Sequence, residues 1–446
     1  MGDRGTQGGG AALNPSEPRP EADPPLESPL ATPPAEAGRA PPGTRVGDAF
    51  AALRHPNFRL FWAGALISNV GSWMQNVAQG WLVLDLTDSA FMLGLVGFAG
   101  TVPMLFFLLV GGVYADRLDR RKLLVVAMTA MMIVAAILAA LTQAAVVSVW
   151  HVFVLSLLSG TALAMAAPAY QAFVHDLVGR RDLQNAIALN SAQFNVSRIL
   201  GPSLAGIVIG PIGLAGCFGL NAVSYLAAIG SLLYIKVTSR RPVVPTRLWE
   251  SLVDGLRYAR QRPRVQALLL LTALMSVLAM PYATLLPIIA RDVLGLDASG
   301  LGYLFAIGGV GAVVGALSLA FRGAFRRRGA YLLGCVTATG VGVLALGLSR
   351  TIAVAVPALV VISFSATSSI ALMNTLLQEL VDDEMRGRVL GMYGLAFMGT
   401  FPVGNLLVGT LAGLTSASAA LALAGAALTV AGVVIAATRP RLRALE

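Results

Sequence analysis

The chain has 446 residues, 56% of them hydrophobic and only 12% charged, with a mean hydropathy of +0.75. Such a chain is too apolar for a water-soluble domain, so lipid is the expected solvent for most of it. The formal net charge of +10 does not point to nucleic acid, because the arginines fall in short connections between apolar runs and have no soluble face to present them.

Residues 1–45 are rich in Pro, Gly, Ala and Glu and contain no apolar run that could form a core or a signal-peptide segment, so a disordered tail is expected. Twelve apolar runs follow, near 58–84, 91–114, 123–145, 150–171, 187–210, 216–236, 265–290, 300–321, 330–348, 352–376, 388–412 and 418–437. Each is long enough to cross a bilayer as a helix. The expected fold is an all-α membrane protein whose twelve transmembrane helices form two pseudo-symmetric six-helix bundles.

In the first run Asn69, Trp73, Asn76 and Gln79 recur at helical steps. Hydrocarbon offers them no hydrogen bonds, so the stripe faces either a cavity or a neighbouring helix. Trp73 adds a stacking surface that helix contact does not need, which favours cargo. Asp85 closes the run. The fourth run carries Tyr170 and Gln171, and the fifth carries Asn195 and Arg198 ahead of Gly201-Pro202. An unpaired guanidinium in hydrocarbon costs roughly 2.5–3.5 kcal/mol, so Arg198 either faces a cavity or bonds carbonyls of another helix.

The longest connection, 237–264, divides the chain into halves at 54–236 and 265–437, leaving 438–446 as a tail. Leu248, Trp249, Leu252, Val253 and Leu256 recur there at helical spacing, which predicts an amphipathic helix on the lipid surface; a solvated linker is the alternative. In the second half Tyr282, Asn374, Tyr393, Phe397, Phe401 and Asn405 are further cavity candidates. No Asp or Glu lies at the centre of a run, which leaves Asp85 and Glu379 as coupling candidates by elimination. Prolines 103, 168, 202, 281, 287, 357 and 402 are placed to bend their helices around a cavity.

Sliding the sequence by 203 residues superposes Phe194 on Phe397, Gly201 on Gly404, Leu204 on Leu407, Gly206 on Gly409 and Gly112 on Gly315. A duplicated six-helix unit is expected, with a substrate site near the midplane between the copies. Alternate connections hold nearly all the Lys and Arg, while the opposite set holds Arg291 and Arg350. The basic side is therefore cytoplasmic, and both termini lie on it.

Between the second and third runs the chain reads Gly112-Val-Tyr-Ala-Asp116-Arg117-Leu-Asp119-Arg120-Arg121-Lys122. This resembles the signature loop of the major facilitator superfamily, with Asp119 where the general pattern has glycine. That departure is similar to the branch containing the enterobactin exporter and related drug antiporters. Phe58-Arg-Leu-Phe-Trp-Ala-Gly64, Gly71-Ser-Trp-Met-Gln75 and Arg386-Gly-Arg-Val389 resemble the same branch. The likeness spans residues 54–437. It implies that Asp116, Arg117 and Arg121 form a charge relay gripping the eleventh helix, with Gly112 permitting close approach. For Arg120 and Lys122 the expected role is only to set topology.

The resemblance implies a secondary exporter of drugs, siderophores or other metabolites in a bacterial cytoplasmic membrane, driven by protons; an importer on the same fold is the alternative. Its expected partners are a small-molecule substrate, the proton and the bilayer, and it is expected to be monomeric. Cargo is expected to be neutral or anionic, since no carboxylate lies at the centre of a run. No cofactor is expected: the chain has no Gly-x4-Gly-Lys-Ser/Thr loop, and His55, His151 and His175 are too scattered for a metal site or an enzyme centre.

Overall fold

The computed structural model describes Gly2 and residues 50–179, 181–235, 248–322 and 325–445, with side chains for all of these except 108–117, 248–253 and 441. The spans are α1 (Pro56–Thr87), α2 (Ala90–Arg117), α3 (Arg120–Gln143) and α4 (Val149–Val178), then α5 (183–212) and α6 (214–234). After a linker helix (Leu248–Gln261) come α7 (Pro263–Val293), α8 (Ala298–Arg322), α9 (Arg328–Leu348), α10 (Ile352–Leu380), α11 (Asp383–Leu414) and α12 (Ala417–Thr438). No strand occurs among the described residues.

Among the described residues ten helices are long and apolar enough to span a bilayer. One of them, Leu183–Tyr234, is really two helices, because Gly213 at φ 69° breaks it into α5 and α6; only glycine adopts that conformation without strain. The polar stripe keeps α1 outside those ten, and with it the spans number twelve. Local chemistry fixes several ends. Pro56 opens α1 at a position where its missing N–H costs nothing. Asp119 caps α3 by accepting from the Lys122 amide at 3.2 Å. A negatively charged cap on orphan amides gives a physical reason for aspartate where the superfamily pattern has glycine.

Four helices are outer ones. Val126, Ile133 and Ile137 on α3, Leu220, Val223 and Leu226 on α6, Val341 and Leu348 on α9, and Val430 and Val433 on α12 are all exposed. In water that surface would be a liability; in lipid it is what a span must present.

The repeated glycines do matching work in the two halves. Gly201 on α5 lies against Trp73 and Val70 of α1, and its counterpart Gly404 on α11 lies against Val277 of α7. Gly206 on α5 meets Ser299 and Gly302 on α8, while Gly409 on α11 meets Gly94 on α2. The first pair therefore builds each bundle, and the second pair joins the bundles through α5–α8 and α2–α11.

Two helices depart from regularity beyond what prolines alone predict. In α7 a π-helical turn at Met275–Ala279 runs into Pro281 and a second follows at Ile289–Val293, and in α11 a π-helical turn at Leu395–Gly399 runs into Pro402. Such turns widen a helix locally and often lie at functional sites.

Candidate functional site

A cavity of about 360 Å³ lies between the bundles, lined from α1, α2, α4, α5, α7, α8, α10 and α11 and by none of the four outer helices. Trp73, Phe194, Tyr282, Phe305, Phe397 and Phe401 give it aromatic walls, with Thr101 and Ser363 as hydroxyl groups. The π-helical turn of α11 opens onto it through Phe397 and Met398, and Met280, just after the first π-helical turn of α7, lines it as well. Among the described residues Arg198 is the only Lys, Arg, His, Asp or Glu on this wall. It makes no hydrogen bond or ion pair with any described residue. Of the residues proposed from sequence, Trp73, Arg198, Tyr282, Phe397 and Phe401 meet here.

Asn69, Tyr170, Gln171 and Asn195 meet instead in a recess of about 400 Å³ inside the first bundle. It shares Leu163 and Phe194 with the central cavity, so the two spaces adjoin. Tyr170 packs on Phe61 with ring centroids 5.0 Å apart. Asn195 donates to the Ser191 carbonyl of its own helix at 2.8 Å.

The remaining cavity candidates lie elsewhere. Gln79 donates to Ser156 Oγ on α4 at 3.1 Å, so it acts in helix contact. Asn76 is exposed and does not line the central cavity. Asn374 accepts from Gln378 at 2.5 Å, and Tyr393 donates to the Ile370 carbonyl at 2.9 Å. Asn405 is buried and accepts from Thr284 at 2.9 Å. These four polar side chains are spent on neighbouring protein groups.

The side chains of Gly112, Asp116 and Arg117 lie outside the described residues. Arg121 donates from Nε to the Leu232 carbonyl and from a terminal nitrogen to that of Leu233, both at 2.5 Å. It thus caps the C-terminal carbonyls of α6, where a cation also meets the negative end of the helix dipole, and in this conformation it does not grip α11. The expectation that Arg120 only sets topology is incomplete. One of its terminal nitrogens contacts both carboxylate oxygens of Asp176 on α4, at 3.0 and 2.9 Å, and both side chains are almost fully buried. An acid between His175 and Leu177, next to the apolar Phe173-Val174 and Leu177-Val178 pairs, was the available signal, because a buried charge needs a partner.

At the end remote from the basic connections, Arg291 on α7 pairs with Asp88 across the bundles and with Asp292, each at 2.7 Å. Asp85 is exposed at that end, within electrostatic reach of Arg291 and Asp88. Glu379 is held by Arg328 at 2.7 Å. The glycine contacts of α2–α11 and α5–α8 lie in the same remote half. A Cβ on Gly94 would approach the Asn405 carbonyl to 2.6 Å, and one on Gly302 would approach that of Pro202 to 2.6 Å. Toward the basic end, by contrast, the lining residues Phe194 and Met398 are exposed.

Residues 47–446 match the family described as transmembrane secretion effector. The multidrug efflux pump Tap of Mycolicibacterium fortuitum is 26% identical over 400 residues, covering 86% of this chain and 95% of that protein. The enterobactin exporter EntS of Shigella boydii is 26% identical over 368 residues, covering 82% and 88%. Among solved structures, a POT family transporter in complex with a thioalcohol conjugated peptide superposes with a TM-score of 0.70 at 10% identity, covering 87% of this chain and 96% of that one. The nucleoside transporter NupG gives 0.65 at 13% identity, covering 85% and 98%. These two likenesses speak to the fold alone. Twelve spans, two glycine-packed bundles, a cavity lined from both and a match over residues 47–446 agree: the chain belongs to the transmembrane secretion effector family of the major facilitator superfamily.

Proposed function

We propose that the protein is a secondary active exporter that carries small molecules out across the bacterial cytoplasmic membrane by alternating access. The observation that supports this reading is a cavity between the bundles with close glycine contacts on its remote side and, nearer the arginine-rich end, the exposed lining residues Phe194 and Met398. With the basic connections and both termini in the cytoplasm, the cavity receives cargo from inside. Rocking the bundles would break α2–α11 and α5–α8 and deliver the cargo outside. Trp73, Tyr282, Phe397 and Phe401 would contact cargo, and the recess of Asn69, Tyr170, Gln171 and Asn195 would serve as its vestibule.

The Asp116, Arg117 and Arg121 relay belongs to the outward-facing state, in which Arg121 would exchange the α6 carbonyls for α11. Protons are the proposed energy source, with Asp85 beside the Arg291–Asp88 bridge as the coupling carboxyl and a monomer as the working unit. Export rather than import is supported by the efflux pump and exporter among the relatives. The test is efflux of fluorescent dyes from loaded, energised cells, compared with labelled sugar and acid uptake into proteoliposomes. Dye efflux that fails on Asp85→Asn but survives Glu379→Gln supports the proposal. Concentrative uptake without efflux contradicts it.

A further inference from the structure

Arg198 differs from the other interior and gate arginines. Arg120 is held by Asp176, Arg291 by Asp88, Arg328 by Glu379 and Arg388 by Asp254. Arg198 alone points a guanidinium at an aromatic wall with no described partner.

Its placement is built in. Pro202, four residues on, lacks the N–H that the Arg198 carbonyl would accept, so that carbonyl is left without its helical partner. A Cβ on Gly309 of α8 would lie 3.3 Å from the same carbonyl, so the second bundle approaches this turn closely. The guanidinium therefore sits where both bundles meet the cargo space.

A charge in a space of low dielectric needs a counter-charge, and nothing on this wall supplies one. We infer that the cargo supplies it: Arg198 is the anchor for an anionic aromatic molecule whose carboxylate, sulfonate, phosphate or catecholate oxygens take the guanidinium fork. This assignment rests on reading the cavity as the cargo site. The planar fork matches such oxygens with two parallel hydrogen bonds. The rings of Trp73, Phe194, Tyr282 and Phe401 hold the apolar body. A lipophilic cation placed about 4 Å from the same guanidinium would be disfavoured roughly a thousandfold at an effective dielectric near 20. The lone arginine thus sets which charge is exported.

The test uses the full-length protein in lipid nanodiscs and equilibrium dialysis with two labelled probes of one shape, 2-naphthoate and uncharged 2-naphthamide. Wild type should bind the naphthoate at least tenfold more tightly than the amide. Arg198→Gln should bring that ratio close to one chiefly by loss of naphthoate affinity, and Arg198→Lys, which keeps the charge, should retain a preference for the anion. Equal binding of both probes by wild type, or an Arg198→Gln protein that keeps the preference, overturns the anion anchor while leaving the cavity as a cargo site. If wild type binds neither probe, the reading of the cavity itself fails, and the anchor with it. Should Arg198→Gln not fold, the lysine protein decides: loss of its anion preference with amide binding intact contradicts the assignment.

Discussion

Arg120 and Asp176 tie the start of α3 to the end of α4 through a pair that water barely reaches. Removing one partner leaves the other charge buried alone, so Arg120→Ala or Asp176→Ala should cost about 3–5 kcal/mol. Thermal unfolding of the detergent-purified protein measures this, and the exchanged pair Arg120→Asp with Asp176→Arg should recover part of the loss. The Arg291–Asp88 bridge is a different case, because the Asp88 side chain is 78% exposed. An exposed pair contributes at most about 1 kcal/mol. Asp88→Asn should therefore shift the balance between the two conformations by less than about fivefold, read as a change in spin-label distances between the bundles. Arg198 was legible in the sequence because it is the one charge deep in an apolar run. Arg120 was not, because it sits in a basic run that satisfies the topology rule by itself.

Helix geometry explains why the α1 stripe divides. At 3.6 residues per turn, each residue advances about 100°, so Trp73 and Gln79 lie about 120° apart around the axis. Trp73 reaches the cavity while Gln79 reaches Ser156 on α4. Steps of four, three and three look like one face in the sequence but drift off it over ten residues. Prolines marked where α7 and α11 bend, yet the π-helical turns beside them leave no residue signature of their own. Close helix approach was readable as a constant offset of glycines, though not which helices they join. Because a Cβ at Gly302 or Gly409 would fall within 2.6–2.7 Å of facing backbone, Gly302→Val and Gly409→Val should each pry the bundles apart. We expect each to favour the opposite conformation by more than tenfold, and thus to outweigh loss of the Arg291–Asp88 bridge. The same spin-label distances measure this.

For the whole molecule, hydrophobic content dictated the solvent, and the solvent dictated helices with all backbone groups satisfied internally. Composition and periodicity reach that far, and the 203-residue offset extends them to two equivalent bundles. The conformation in which the bundles rest is a small difference between two packings of the same surfaces, which no pattern of residue types encodes. That resting state is also where the functional account is most exposed to test. The direct measurement is labelling of a single cysteine at the cavity residue Thr101, in a protein whose buried Cys217 and Cys335 are replaced by alanine, with a membrane-impermeant maleimide in vesicles of known orientation. Alternating access predicts labelling from the arginine-rich side, moving to the opposite side when Gly302→Val is added. Labelling from the same side in both proteins, or from neither side, would contradict it.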